Sequence, residues 1–258
     1  MIDIGRYGPW ALIAGGSDGL GAAYAHHLAA AGLNLILIAR RREVLEEMAA
    51  SVGAAHGIDV RVAVADITAP DLIDQLRPVT DGLEIGLVVA NAGGADSPKP
   101  FLERPVDYSL RLIEFNVMAQ MRLAHHYGAE MVARGRGGVL LMSSGASAVG
   151  MADMAGYSAA KAATNVFGEA LWAEWQPLGV DVLTFVIGRT DTPSMRATEL
   201  APAAAPPDDP SEIATIGLAN LSNGPVVTPP HMAQGIEALR NMPRKQAAEM
   251  MRKAVRGS

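Results

Sequence analysis

The sequence predicts an α/β domain with a doubly wound parallel sheet and helices on both faces. Six short apolar segments, each interpreted as a strand, alternate along the chain with segments of helical character, as in successive βαβ units. These apolar segments show no clean alternation of apolar and polar residues, which is typical of strands covered on both faces. With 258 residues, no internal repeat and no second region of comparable pattern, the chain is expected to form one domain over residues 1–258.

Composition excludes several classes of protein. The net charge is -6, whereas a nucleic-acid-binding domain is usually basic. Without cysteines, the chain has neither disulfides nor thiolate metal sites, and we expect no bound metal. The chain start shows no basic segment followed by an apolar run, and no apolar run approaches the roughly 18 residues of a membrane span. We therefore expect a cytoplasmic protein.

A glycine-rich loop follows the first predicted strand. The strand covers Trp10–Ala14, the loop contains Gly15, Gly19 and Gly21, and an alanine-rich helical segment covers 22–31. Glycines allow close backbone approach to a ligand, and the N-terminus of a helix offers free N–H groups and a positive dipole end to a pyrophosphate. An ordinary flexible turn is the alternative, but the position between strand and helix favours phosphate binding.

The second predicted strand ends in a run of arginines. It covers Leu35–Ala39, and Arg40, Arg41 and Arg42 follow. An acidic residue about 20 positions after the glycine loop usually binds the ribose hydroxyl of NAD, and Ala39 occupies that place. Guanidinium groups suit the 2′-phosphate of NADP. The alternative is a solvated first helical turn, but three cations at a helix N-terminus oppose its dipole. We predict NADP(H), with Arg40 as the first contact and Arg41 as the second.

Polar residues follow or interrupt the next elements. The third to sixth strands are predicted at Val60–Ala65, Ile85–Ala90, Gly138–Met142 and Val180–Ile187. Asp66 closes the third strand and either accepts a hydrogen bond from an adenine amino group or caps a helix. Asn116 lies inside a long helical region over 106–134, where asparagine is unfavourable. It is either a surface amide or the site of a kink that turns its amide or carbonyl toward a functional site.

A tyrosine and a lysine are spaced by one helical turn. Tyr157 and Lys161 are separated by four residues and therefore share one face of a helix. A nearby ammonium lowers the pKa of a phenol, which can then exchange a proton with an alcohol oxygen near working pH. Such a pair also arises by chance, so it carries little weight alone. Ser143 and Ser144 supply hydroxyls at the end of the fifth strand.

The C-terminal third is less regular. Residues 194–222 are rich in proline and predicted to form a substrate loop or lid. Residues 231–255 are amphipathic and helical, with a break at Pro243 and a basic end interpreted as a solvated face. Met151, Met154 and Met195 either border a lipophilic substrate or only pack the core; Phe101 and Leu102 are weaker candidates for the same border.

Together these motifs resemble the short-chain dehydrogenase/reductase family, over about Ala11 to Pro193. They occur in the family's order, and Ser144 lies thirteen residues before Tyr157, the family's spacing, which favours it over Ser143. The matching residues are Gly15-x-x-x-Gly19-x-Gly21, Asn91-Ala92-Gly93, Asn116, Ser144 and Tyr157-x-x-x-Lys161.

The resemblance implies a Rossmann-like sheet with strand order 3-2-1-4-5-6. The seventh strand is doubtful, because Val226-Val227 is its only candidate. As the resemblance implies, Tyr157 would be the general acid/base, and Lys161 would lower its pKa and hold the nicotinamide ribose. Ser144 would hydrogen-bond the substrate oxygen, and Asn116 would support a proton relay.

The resemblance also implies an NADP(H)-dependent oxidoreductase that interconverts a carbonyl and a secondary alcohol. The alternative, a catalytically silent NADP(H)-binding sensor, is less favoured because both Tyr157 and Lys161 remain. Asp18 is expected to point to solvent or to cap its helix, and a homodimer is favoured over a tetramer. The residues expected to bind the cofactor are Gly15, Ser17, Asp18, Gly19, Leu20, Gly21, Arg40, Arg41, Asp66, Ile67, Asn91, Ala92, Gly93, Tyr157, Lys161, Gly188, Thr190 and Thr192.

Overall fold

A computed structural model describes residues 2–198 and 205–256. Its strands form one parallel sheet in the order β3-β2-β1-β4-β5-β6-β7. The predicted fold class and order are therefore confirmed. The strands are β1 (Trp10–Ala14), β2 (Asn34–Ala39), β3 (Val60–Val64), β4 (Ile85–Ala90), β5 (Gly137–Ser144), β6 (Val180–Ile187) and β7 (Val226–Val227).

The doubtful seventh strand is present, but it has only two residues. Val226 and Val227 pair in parallel with Thr184 and Phe185 of β6. Pro229 follows shortly after and Pro230 begins the next helix. Since proline cannot donate a ladder hydrogen bond, the strand extends no further.

Helices cover both faces of the sheet. The described helices are α1 (Ile4–Tyr7), α2 (Gly19–Ala30), α3 (Arg42–His56), α4 (Leu72–Thr80), α5 (Val106–Ile113), α6 (Ala119–Arg134), α7 (Ala155–Trp175), α8 (Pro193–Arg196), α9 (Pro210–Ala219), α10 (Pro230–Asn241) and α11 (Arg244–Arg256). Within residues 2–198 and 205–256, none of the helices is long and apolar enough to cross a bilayer. Residues 199–204, part of the predicted substrate loop, lie outside the described residues.

Two apolar clusters form the core, one on each face of the sheet. Strand β2 shows why: Leu35 and Leu37 belong to one cluster, whereas Ile36 and Ile38 belong to the other. Successive side chains of a strand point to opposite faces, so a strand buried on both sides is apolar at most of its positions. This explains the missing alternation in the sequence.

The long helix predicted over 106–134 is interrupted at Asn116. A π-helical turn, Glu114–Met118, separates α5 from α6. Asn116 is 0% exposed within this turn, so the surface-amide alternative is wrong. Single π turns are frequent at functional sites because the wider turn redirects backbone and side chains.

Candidate active site

A large cavity opens at the carboxyl edge of the sheet. Its volume is about 1090 Å³, and it joins the end of β1 to the start of α7. Every residue predicted to bind the cofactor lines it except Gly21, and every predicted catalytic residue lines it except Asn116. In an open parallel sheet, ligands bind at this edge where the strand order reverses.

The backbone of the glycine loop has a conformation that lets a ligand come close to it. Gly15 and Gly19 have φ values of 78° and 52°, a region that favours glycine. A side chain on Gly21 would place its Cβ 1.8 Å from the carbonyl oxygen of Gly15, so Gly21 is needed for the loop to close. Asn91 at the end of β4 donates a 3.2 Å hydrogen bond to the same carbonyl. This loop, followed directly by the N-terminus of α2, fits the pyrophosphate of a dinucleotide.

Asp18 after β1 and Asp66 after β3 both have partners within the chain. The Asp18 carboxylate makes no side-chain bond to α2; it forms an ion pair with Arg41 instead, so the capping interpretation of Asp18 is wrong. Asp66 accepts hydrogen bonds from the N–H and hydroxyl of Thr68, at 2.9 and 2.8 Å. These bonds, with the nearby positive charge of Arg40, lower the pKa of Asp66. Its carboxylate therefore stabilises a turn and also lines the cavity.

The two serines at the end of β5 have different partners. The buried Ser143 donates a 3.1 Å hydrogen bond to the carbonyl oxygen of Lys161. Ser144 lines the cavity, and its hydroxyl lies near enough to Tyr157 to lower the pKa of that phenol. Both serines line the cavity, but the Ser143 hydroxyl is already bonded within the protein.

Burial dominates the electrostatics of Tyr157 and Lys161. The Lys161 ammonium is 5.7 Å from the centre of the Tyr157 ring and donates a 2.8 Å hydrogen bond to the carbonyl of Met142. Burial lowers the pKa of Lys161 to about 7. Burial also raises the pKa of Tyr157, against a lowering by the nearby Ser144 hydroxyl. In the protein alone, the shift of Tyr157 therefore runs opposite to the expected lowering by Lys161, since a lysine with that pKa is only partly charged at neutral pH.

Asn116 does not line the cavity, but its side-chain amide binds the backbone of Gly94, which does. Its Oδ1 accepts a 2.9 Å hydrogen bond from Gly94 N–H, and its Nδ2 donates to Gly94 O at 3.0 Å. Its own carbonyl accepts from Gln120 Nε2 and Thr164 Oγ1, at 2.9 and 3.1 Å. A Cβ on the adjacent Gly93 would lie 2.8 Å from Asn116 Oδ1 and 3.2 Å from Lys161 Nζ. The amide thus fixes the backbone after β4 beside the lysine.

The segment after β6 forms the far wall. Thr192 accepts a 3.1 Å hydrogen bond from Met195 N–H and caps α8; a threonine hydroxyl can in addition donate one hydrogen bond. Thr190 is 5% exposed, and its hydroxyl has no hydrogen-bond partner among the described residues. A buried hydroxyl left in that state is unfavourable, so a polar group of a bound ligand fits there.

Several methionines line the rest of the cavity. Met151, Met154 and Met195 line it as one alternative expected, and Met251 joins them from α11. Phe101 and Leu102 are not among the lining residues; they are 52% and 93% exposed. The cavity-lining residues of α10 and α11 were not predicted from the sequence; they are Ile236, Leu239, Met251, Ala254 and Val255. The amphipathic period of the C-terminal segment was the available signal, since it predicts a buried face without saying what lies against it.

Comparisons with known proteins agree with this geometry. The family model described as short chain dehydrogenase matches residues 9–202. The very-long-chain 3-oxoacyl-CoA reductase of Rattus norvegicus is 31% identical over 228 residues, which cover 86% of this chain and 73% of that protein. The 7beta-hydroxysteroid dehydrogenase of Collinsella aerofaciens is 30% identical over 190 residues, covering 74% and 72%.

Solved structures of two dehydrogenases are also similar to this chain. A 7beta-hydroxysteroid dehydrogenase superposes with a TM-score of 0.87 at 25% identity, covering 97% of this chain and 99% of that one. A short-chain dehydrogenase from Sphingobium yanoikuyae in complex with NADPH superposes with a TM-score of 0.80 at 30% identity, covering 90% and 91%. The chain belongs to the short-chain dehydrogenase/reductase family, and it is an oxidoreductase that acts on carbonyl and alcohol groups.

Proposed function

We propose that the protein is an NADP(H)-dependent oxidoreductase that interconverts a lipophilic ketone and its secondary alcohol, with Tyr157 as general acid/base. The observation that carries this proposal is the meeting of Ser144, Tyr157 and Lys161 at one cavity with the glycine loop. When bound, the nicotinamide would supply or accept the hydride at the carbon of the reacting group.

The three side chains have complementary roles in this proposal. Ser144 and Tyr157 line the same cavity, and the influence of Ser144 on the pKa of Tyr157 indicates that their hydroxyls are close, so the two can hold one substrate oxygen between them. Tyr157 transfers the proton to that oxygen during reduction and removes it during oxidation. Lys161 supplies a cation 5.7 Å from the phenol ring, and its charge favours the phenolate formed when Tyr157 gives up its proton.

The preference for NADP(H) rests on charge. Arg40 and Arg41 line the cavity at the end of β2, where Ala39 leaves no carboxylate. A 2′-phosphate would bring a further anion toward Arg41, which is paired with Asp18, and toward Arg40, which is exposed. Guanidinium groups bind phosphate through paired hydrogen bonds. The solved relative in complex with NADPH supports this choice.

The lipophilic substrate rests on the composition of the cavity wall. Met151, Met154, Met195 and Met251 all line it, and unbranched methionine side chains adapt to irregular apolar shapes. Among the relatives are a hydroxysteroid dehydrogenase and an alcohol dehydrogenase described as specific for bulky-bulky ketones. Both names indicate large apolar substrates and support the same class here.

The test is NADPH-dependent reduction of a ketone panel by the wild type and by Tyr157→Phe. We expect the substitution to lower kcat by about a hundredfold or more, with NADPH binding retained. Ser143→Ala is the matched control, because its hydroxyl is used inside the protein and its loss should lower kcat far less than that of Ser144→Ala. Tight NADPH binding without turnover of any ketone would instead indicate the silent sensor.

We also propose a homodimer formed through the long helices. Large apolar side chains lie exposed along them, among them Leu110 at 59%, Met118 at 39% and Val166 at 67%. Contiguous exposed apolar surface marks an interaction site. Sedimentation of the wild type and of Val166→Lys tests this: the wild type should sediment as a dimer and the variant should dissociate, and a monomeric wild type contradicts the proposal.

A further inference from the structure

The C-terminal helix α11 lies against the candidate active site. Met251, Ala254 and Val255 line the same cavity as Tyr157. Together with the fully buried Ala247, these residues repeat at intervals of four, three and one, which places them on one face of a helix. Lys253 is exposed on another part of the helix. The amphipathic pattern of α11 is therefore explained by the cavity on one side and solvent on the other.

Both ends of α11 are attached to the loop between β5 and α7. Arg244 at the start of the helix donates a 3.0 Å hydrogen bond to the carbonyl of Ala148. Arg256 at its end forms a bidentate pair with Asp153, with 2.8 and 2.7 Å hydrogen bonds. This is the same loop that carries Met151 and Met154 into the cavity. The two attachments set the separation between the α11 wall and the methionine wall.

Asp153 occupies an uncommon backbone conformation. Its φ is 63°, the only positive value at a non-glycine residue within residues 2–198 and 205–256. Aspartate tolerates this region better than most residues do, but the conformation still needs support from its surroundings. The Asp153 side chain is 11% exposed, and its carboxylate receives both hydrogen bonds from Arg256. The pair thus holds the loop in this conformation as well as holding the helix end.

We propose that α11 is a specificity-determining part of the substrate site. Met251 and Val255 contact the apolar substituent of a bulky ketone or alcohol, and Arg256 with Asp153 is a positioning pair that keeps this wall in place. The inference rests on the proposed function, because it names which part of the chain selects the substrate of that reaction. Small ketones do not need the wall, whereas ketones with a bulky group on each side of the carbonyl do.

A thiol placed on the wall tests the contact without relying on turnover. The chain contains no cysteine, so Met251→Cys introduces a unique thiol on the cavity face, and Lys253→Cys introduces one on the exposed face. Both variants are alkylated with N-ethylmaleimide in the presence of NADPH, with and without benzophenone. A bound ligand shields the thiol in proportion to its occupancy, so alkylation of Met251→Cys should be about tenfold slower at about 90% occupancy. Lys253→Cys should react at an unchanged rate.

Steady-state kinetics test the positioning pair. Arg256→Gln should raise KM for benzophenone by about two- to fivefold, the range for a partly exposed ion pair, with kcat and the KM for 2-butanone unchanged. Arg256→Lys keeps the charge and should restore part of the loss. Arg252→Gln, on the same helix, is the matched control and should behave as wild type. A purely structural role would instead change both ketones alike.

The results of these experiments distinguish a failure of the α11 substrate wall from a failure of the proposed ketone reduction. If benzophenone leaves the alkylation rate of Met251→Cys unchanged while ketones are reduced, α11 is not a substrate wall and the proposed function stands. If no ketone is reduced but protection is specific to Met251→Cys, the wall stands and the reaction is wrong. If Arg256→Gln raises KM equally for both ketones, the positioning role is overturned.

Discussion

The Lys161 ammonium donates a 2.8 Å hydrogen bond to the backbone carbonyl of Met142, deep beneath the candidate active site. This lysine is 3% exposed, and one carbonyl replaces only a small part of the hydration that an ammonium has in water. Burial accordingly lowers its pKa to about 7. An anionic partner beside it, such as a phenolate at Tyr157, would favour the charged form again.

The stability of the cofactor-free protein should therefore rise with pH between about 7 and 9. In this range the unfolded lysine, with an ordinary pKa near 10.4, binds more protons than the folded one. Stability rises with pH wherever the unfolded state binds more protons, so the free energy of unfolding should increase by on the order of 1–2 kcal/mol. Denaturant unfolding at pH 7 and pH 9 measures it. Lys161→Met should lack the increase and the exposed Lys245→Met should keep it; parallel curves for wild type and Lys161→Met contradict the prediction.

Cofactor preference should depend more on Arg40 than on Arg41. Arg40→Ala should weaken NADPH binding by about tenfold or more, the value of charge-assisted hydrogen bonds to a phosphate, with little effect on NADH. Arg41 shares its charge with Asp18, so Arg41→Ala should have a smaller effect. Fluorescence titrations of both cofactors measure these affinities.

Two further variants complete the test of cofactor preference. Arg42→Ala is the control, because Arg42 pairs with Glu46 on the surface of α3. Asp18→Asn should tighten NADPH binding, since it removes a carboxylate that pairs with Arg41. If Arg40→Ala lost the same affinity for NADPH as for NADH, the prediction that Arg40 binds the 2′-phosphate would be contradicted.

One glycine of the loop should not tolerate a methyl group. In Gly21→Ala the new Cβ would meet the Gly15 carbonyl oxygen at 1.8 Å, so backbone must shift. We expect a loss of about 1–3 kcal/mol in the free energy of unfolding and a large loss of NADPH affinity. Gly235→Ala, also within a helix but with open space around its Cβ, should instead be neutral or stabilising by up to about 1 kcal/mol. Thermal unfolding and NADPH titration of Gly21→Ala and Gly235→Ala measure the changes in stability and in cofactor affinity.

A buried carboxylate at the opposite edge of the sheet should matter for stability alone. Asp181 at the start of β6 accepts 2.5 and 2.8 Å hydrogen bonds from Arg6 and a 2.6 Å bond from the Tyr7 hydroxyl. Burial and this carboxylate raise the pKa of Tyr7, so the phenol remains a donor at working pH. Asp181→Asn should lower the free energy of unfolding by about 1–3 kcal/mol, measured in urea. Since Asp181 does not line the cavity, a changed KM for NADPH in Asp181→Asn would contradict the prediction that this residue affects stability alone.

Much of the fold and part of the site follow from local sequence. The boundaries of Ile85–Ala90 and Val180–Ile187 match prediction residue for residue, because a strand covered on both faces is largely apolar and stands out from its flanking residues. The positions of the glycine loop, Tyr157 and Lys161 were predictable for a similar reason. Their spacing reflects short-range geometry, namely a tight turn before a helix and one turn within a helix.

Contacts distant in sequence were not predictable in the same way. The short helix α1 has no clear local signal and is held by Asp181, 175 residues from Arg6. The pairing of Asp18 with Arg41 requires the ends of β1 and β2 to lie side by side. The same argument applies to the pKa of Tyr157: its shift depends on burial, which a residue's neighbours in sequence do not specify.

By itself, the sequence determined the parallel α/β architecture, the strand order through its family resemblance, and which side chains are chemically suited to a carbonyl reduction. The tertiary structure decided how those side chains are arranged: that the Ser143 hydroxyl is bonded to the Lys161 carbonyl, that Asn116 holds Gly94 from a π turn, and that α11 closes one wall. The division has one physical reason. Periodicity and turn chemistry act over a few residues, whereas burial, charge pairing and cavity shape arise only when segments far apart in the chain pack together.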